Sequence, residues 1–276
     1  MGGVIVGKCI FCNSEGPFTT IEHIIPESLG NTDDILERDG VCDSCQKYFG
    51  KEIEQYVLSK SCLGFYRVLL NIKTKKNREP IFDLSRPEKN SGKIPSYHPR
   101  SDYGLKFFPY NGDDANRIEV EIVEDERFNK MLADNKIEIV MTPYMVVNIG
   151  RFLGKIALEL LFKGIGDGVF DEQYEALRRY SRYGTSNEIW PLLHGVLKDP
   201  IHNWEADGGD TESRLIYRYS IFELKRYQNL VIFLFDIGSE RYGIVCNQKF
   251  PNPRVVDQLI DVDGNKVQFI WYPNFR

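Results

Sequence analysis

Four of the six cysteines in this 276-residue chain stand as two C-x-x-C pairs, Cys9/Cys12 and Cys42/Cys45, with 29 residues between them. No other feature restricts the fold so narrowly. Each pair can turn two sulfurs toward one ion, and four thiolates suit a closed tetrahedral structural zinc site. Three disulfides are the competing use of six cysteines. The pair spacing favours metal, and "MGGVIVGK" lacks the apolar core of a secretory signal. A module this small has little core of its own, so zinc would supply much of its folding energy, on the order of 10 kcal/mol. The pairs alone fit equally a zinc ribbon that only scaffolds or binds. Cys62 and Cys246 have no close sequence partner and read as buried thiols.

The rest of the chain is ordinary for a globular protein, with 42% apolar and 27% charged residues. No apolar run reaches the ~18 residues of a membrane span. The expectation is a soluble, cytoplasmic protein. The net charge of −5 weighs against one that coats nucleic acid, but leaves room for local basic patches.

Periodicity divides the chain into three. Residues 1–62 carry the cysteines and then a helical pattern in which Tyr48, Phe49, Ile53, Tyr56 and Val57 recur at three- and four-residue steps, with Gly50 and Gly64 as weak points. Residues 63–104 finish that helix and run into a Lys-, Pro- and Ser-rich linker. Residues 105–276 alternate like strands at "RIEVEIV" and "KIEIVM". They then give a helix at "YMVVNIGRFLGKIALELLFKG", apolar around most of its circumference, and a second at "DEQYEALRRYSRYG". Strands follow at "RLIYRYSIFEL", "NLVIFLFDIG", "RYGIVCN" and "KVQFIWYP", with hairpin turns at "DIGSERYG" and "DVDGNK". The predicted class is α+β: a small zinc-stapled finger followed by a larger mixed domain with antiparallel strands.

The loop between the cysteine pairs holds "TTIEHIIPESLGN", with Glu22 and His23 side by side. Neighbours on a strand point to opposite faces, so for both to serve one centre the strand has to end or bulge there. Together, "CIFC…EHIIPESLGN…VCDSCQKYFGKEIE" resembles the HNH endonuclease superfamily, in the branch with an EHIIP loop and a C-x-x-C-N knuckle leading into a helix. The resemblance covers residues 9 to ~58. It implies a ββα-metal finger and hydrolysis of phosphodiesters in nucleic acid, DNA ahead of RNA. It also implies His23 as the general base and Glu22 as a ligand of a catalytic Mg²⁺ or Mn²⁺ distinct from the zinc. Bacterial proteins with this finger often carry a variable second domain, and some act in defence against phage.

The sequence departs from that pattern in two places. Gln46 stands where the branch has Asn, one methylene longer for a ligand whose metal tolerates little misplacement. Gly50 stands where another form of the motif has a final His. Glu54, two turns beyond Gln46, is an alternative ligand, and Asn31 reads as a loop-turn residue. These departures leave two expectations: an active nuclease with a Gln variant, or a weakened finger kept for binding nucleic acid or protein.

Lys73, Lys75, Lys76 and Arg78 form a basic run directly after the finger and are candidates for phosphate contact; a solvated linker explains them equally. Arg178, Arg179 and Arg182, interleaved with Tyr180 and Tyr183, are a second set that could hold phosphates or stack on bases, and read first as a charged helix end. His194 and His202, flanked by Trp190 and Trp204, read as an aromatic cluster at the rim of the core. No phosphate loop or nucleophile elbow occurs in residues 105–276. For that part three roles stand open: sensing an activating ligand, positioning the substrate, or homo-oligomer contact.

Overall fold

The computed structural model describes residues 7–37, 39–69, 71–73, 77–83, 104–109, 118–124, 129, 132–135, 143–184, 190–197, 201, 217–225, 229–251 and 267–271. The first cysteine pair lies in a tight knuckle. Cys9 N–H donates to Ser14 O (2.8 Å) and Asn13 N–H to Cys9 O (2.9 Å). Asn13 takes φ 60°, a left-handed conformation that Asn tolerates better than most residues. The second pair starts a helix: Cys42 is its N-cap, and the Cys42 sulfur accepts from Cys45 N–H. Ile10 N–H donates to Gly40 O (2.9 Å) and holds the two knuckles together.

Between the knuckles the chain forms a short antiparallel pair, β1 (Glu22–His23) and β2 (Ile35–Leu36), with Glu22 opposite Leu36 and His23 opposite Ile35. The strand ends at His23. Pro26 then leads into one 3₁₀ turn (Glu27–Leu29), closed by Gly30 at φ 83°. The second knuckle runs into α1 (Asp43–Tyr48), a π-helical segment (Phe49–Glu54) and α2 (Gln55–Lys60). Two strands and a helix around the cysteines are the ββα arrangement expected. The helix does not break at Gly50 or Gly64. It breaks at Ser61, which is extended (φ −104°, ψ 172°), and resumes as α3 (Cys62–Leu69). Helical periodicity continues through residue 61, so the break is invisible in the pattern.

Beyond the finger, β3 (Phe82–Asp83), β4 (Gly104–Pro109) and β5 (Ile118–Glu124) form an antiparallel sheet, so the stretch read as linker contributes a strand. Helix α4 (Pro143–Ile165) and α5 (Glu172–Tyr183) match the two predicted helices closely, with Gly184 ending α5. A five-stranded antiparallel sheet completes the fold. It comprises β6 (Leu192–Val196), β7 (Tyr217–Leu224), β8 (Leu230–Ile237), β9 (Glu240–Val245) and β10 (Val267–Trp271), in the order β10-β6-β9-β8-β7. Strand β6 carries His194 and was not expected; its run of "LLHGV" does not alternate apolar with polar residues. "KIEIVM" and "DVDGNK" lie outside the described residues.

Helix α4 lies against the π segment and α2 of the finger and also against β8 and β9. That position explains why it is buried around most of its circumference: sixteen of its residues, from Met145 to Leu161, are buried. Buried apolar side chains of the finger, α4, α5 and the sheet form one continuous cluster. Helices α4 and α5 approach closely because Gly150 and Gly154 leave room. A Cβ at Gly154 would stand 2.4 Å from Ser181 Oγ, and one at Gly150 2.7 Å from Tyr180 Oη. Among the described residues no helix is long and apolar enough to cross a membrane.

Candidate active site

The four knuckle sulfurs all lie within 4.8 Å of one another. Cys12 Sγ and Cys42 Sγ are 3.6 Å apart. Sulfurs at ~2.3 Å from a tetrahedral zinc sit just under ~4 Å from each other, so the donor set fits that ion in both number and spacing. A hydrogen bond from Cys45 lowers the Cys9 thiol below its ordinary range, while Cys45 itself is raised, the bond to Cys9 being the first cause and burial the second. Arg182 Nε donates to Cys45 Sγ at 3.4 Å, and the Arg182 guanidinium lies 3.7 Å from the centroid of the Tyr48 ring. A positive charge beside a four-thiolate centre offsets part of its excess negative charge. The arginine run on α5 is therefore no simple exposed helix end: Arg178 and Tyr180 are buried, and Arg182 serves the cysteine cluster.

Several contacts fix the strand that carries Glu22 and His23. The Asp43 carboxylate, at the start of α1, accepts from the backbone N–H and hydroxyl of both Thr19 and Thr20. Those bonds, Thr20's first, hold its carboxyl below the usual range. Gln46 Nε2 donates to Thr20 O and Val41 O, both at 3.2 Å. Asn31 closes the loop beyond. Its Nδ2 donates to Ile25 O (2.6 Å) and Asp34 O (2.9 Å), and its Oδ1 accepts from Asp33 N–H and Asp34 N–H. The loop-turn role read from sequence is what the structure shows. Asn31 is buried, so truncation removes its bonds to four backbone groups, of which Asp34 O keeps Ile24 N–H; each group left bare costs about 1–3 kcal/mol where water cannot replace it. Asn31→Ala is expected to lower stability by about 2–4 kcal/mol in urea denaturation; a change under half a kcal/mol would show that the loop does not depend on it.

The strand directs Glu22 and His23 to different surroundings, as alternation requires. His23 faces outward, with 29% of its side chain exposed; Nε2 is 3.2 Å from Glu27 Oε1, and the buried Nδ1 has no hydrogen-bond partner. Glu22 faces inward and is 7% exposed. Its Oε1 is 2.5 Å from Nζ of Lys155, on α4. Lys155 is wholly buried and also meets Glu54 Oε1 (3.0 Å), Glu159 Oε2 (3.2 Å), His23 O (3.1 Å) and Ile24 O (3.3 Å). Burial works against the ammonium charge, but Glu159, Glu22 and Glu54 outweigh it and keep Lys155 charged well above its ordinary range. Burial raises the Glu22 carboxyl despite Lys155, and raises that of Glu159 much further.

The structure thus brings Glu22 and Glu54 together with Lys155 and Glu159, places His23 beside Glu27, and seats Gln46 under Thr20. Of the basic run, Lys73 and Arg78 are exposed; Lys75 and Lys76 lie outside the described residues. Trp190 is core and donates to Val245 O, whereas His194 pairs with Glu240; His202 and Trp204 lie outside the described residues. Sequence reasoning overlooked Lys155 and Glu159. The available signal was a lysine and a glutamate four residues apart in the most apolar helix of the chain, where a charge needs a buried partner.

Residues 9–61 match the family model described as HNH endonuclease. No curated protein and no solved structure matches the chain.

Proposed function

We propose that the chain is a metal-dependent endonuclease that hydrolyses phosphodiester bonds, with DNA as the first substrate to test. The observation that carries this reading is the state of His23 in a segment that matches HNH endonucleases. One imidazole nitrogen faces a carboxylate, Glu27, and the other has no partner. Glu27 accepts a hydrogen bond from Nε2–H, which leaves the Nδ1 lone pair to take the proton of a water admitted beside it. Zinc at Cys9, Cys12, Cys42 and Cys45 holds the two knuckles and hence the strand in place. Glu22 and Gln46 offer the hard oxygen donors that Mg²⁺ or Mn²⁺ requires. Gln46 spends its amide nitrogen on Thr20 and Val41 and keeps Oε1 for a cation. A divalent ion there supplies charge neutralisation at the scissile phosphate and the departing 3′ oxygen. Lys73, Lys75, Lys76 and Arg78 extend the surface for the phosphate backbone. Residues 105–276 position the substrate, or respond to an activating ligand or a second copy. The biological setting we test first is defence against phage, read as a loss of plaques on cells expressing the wild-type chain but not its His23→Ala form.

The burial of Glu22 against Lys155 favours one alternative, a zinc-stapled module that binds nucleic acid or protein without cutting. Plasmid DNA and RNA are incubated with the purified chain across Mg²⁺, Mn²⁺ and EDTA. Divalent-dependent nicking supports the nuclease; tight binding with no cleavage under any ion supports the module. Within the first reading, Gln46→Leu is expected to raise the Mg²⁺ concentration for half-maximal nicking by about ten-fold, the loss of one oxygen donor. An unchanged Mg²⁺ titration would remove Gln46 from the ligand set.

A further inference from the structure

The oxygen cage around Lys155 has the donor chemistry of a cation site, and the chain fills it with its own ammonium. Three carboxylates and two carbonyls surround Nζ at 2.5–3.3 Å, drawn from β1 and the turn after it, the end of the π segment, and α4. An ammonium has three hydrogens, so five oxygens cannot all be satisfied. Glu159 Oε1, wholly buried, lacks a hydrogen-bond donor, and Oε2 meets only the ammonium, at 3.2 Å. Three acidic side chains share this one ammonium. As packing alone this is a poor solution, because burying charges costs several kcal/mol each and an apolar cluster of the same volume is often as stable or more so.

We infer that Lys155 is a positioning residue of the nuclease centre and acts as its resident cation. It holds Glu22 and the His23 and Ile24 carbonyls at the end of β1, and a divalent ion binding at Glu22 competes with it. The inference rests on the proposed nuclease reading for what Glu22 does. It adds a route by which α4, packed between finger and sheet, sets how readily Glu22 is released to a metal.

The test is Mn²⁺ binding to the zinc-loaded full-length protein, followed by electron paramagnetic resonance without nucleic acid. Removing a unit positive charge a few ångströms from the ion is expected to lower the Mn²⁺ dissociation constant of Lys155→Met at least about ten-fold. Glu22→Gln added to Lys155→Met is expected to abolish that gain. Mn²⁺ affinity in folded Lys155→Met that is unchanged or weaker overturns the inference, as does tight binding that survives Glu22→Gln. If Lys155→Met does not fold, Lys155→Met/Glu159→Gln removes one acid together with the base and is judged by the same two outcomes. Binding is read without substrate. A wild-type protein that never nicks DNA therefore sinks the nuclease reading alone, and an unmoved Mn²⁺ isotherm sinks the role of Lys155 alone.

Discussion

Substituting His23 by alanine is expected to reduce divalent-dependent nicking by about 10²–10⁴-fold, the usual contribution of a positioned general base. The fold should survive. The imidazole is partly exposed, its Nδ1 has no partner to lose, and the strand is held through other residues: Asp43 on Thr19 and Thr20, Gln46 on Thr20, and Lys155 on the His23 carbonyl. The loss should therefore appear in the rate and not in the melting temperature. Single-turnover nicking and thermal unfolding, measured on the same preparation, separate the two. Equal cleavage by wild type and His23→Ala would mean that the activity belongs to a contaminant or to another site.

Metal removal is expected to have the larger structural effect. Four buried or half-buried sulfurs within 4.8 Å of one another cannot all ionise without a cation between them. Stripping zinc with a strong chelator should abolish cooperative unfolding of residues 9–61, since the ion contributes on the order of 10 kcal/mol in comparable small sites. The disruption should not stop there. Arg182 on α5 donates to Cys45 Sγ, Arg151 on α4 donates to the Tyr48 hydroxyl, and one apolar cluster spans finger and sheet. Circular dichroism of the stripped protein should show a lower midpoint for the whole chain, and zinc content should fall from one ion per chain to none. A stripped protein that melts as before would show that the knuckles fold without metal.

The finger was largely legible in the sequence because its determinants are local. Two C-x-x-C pairs fix two knuckles, Pro26 and Gly30 punctuate the loop, and the run after Cys45 has helical periodicity. The long helix and α5 were equally plain from apolar spacing and the stop at Gly184. Ser61 and β6 were not. A one-residue break leaves the helical pattern intact on both sides, and the "LLHGV" of β6 does not alternate apolar with polar residues.

Residue type and spacing were enough to name the groups that can carry chemistry: four thiols at metal spacing, a histidine and a glutamate in one loop, a glutamine at the helix start. Each of those readings depends on residue type and short separation, and both are written along the chain. What each residue faces depends on the packing of distant segments. Glu22 and Lys155 are 133 positions apart, and their contact exists because α4 packs against the finger while alternation along β1 turns Glu22 inward and His23 outward. Apolar patterning can predict that α4 is buried. Which buried acid its lysine will meet depends on how the helices pack, and no spacing along the chain encodes that directly.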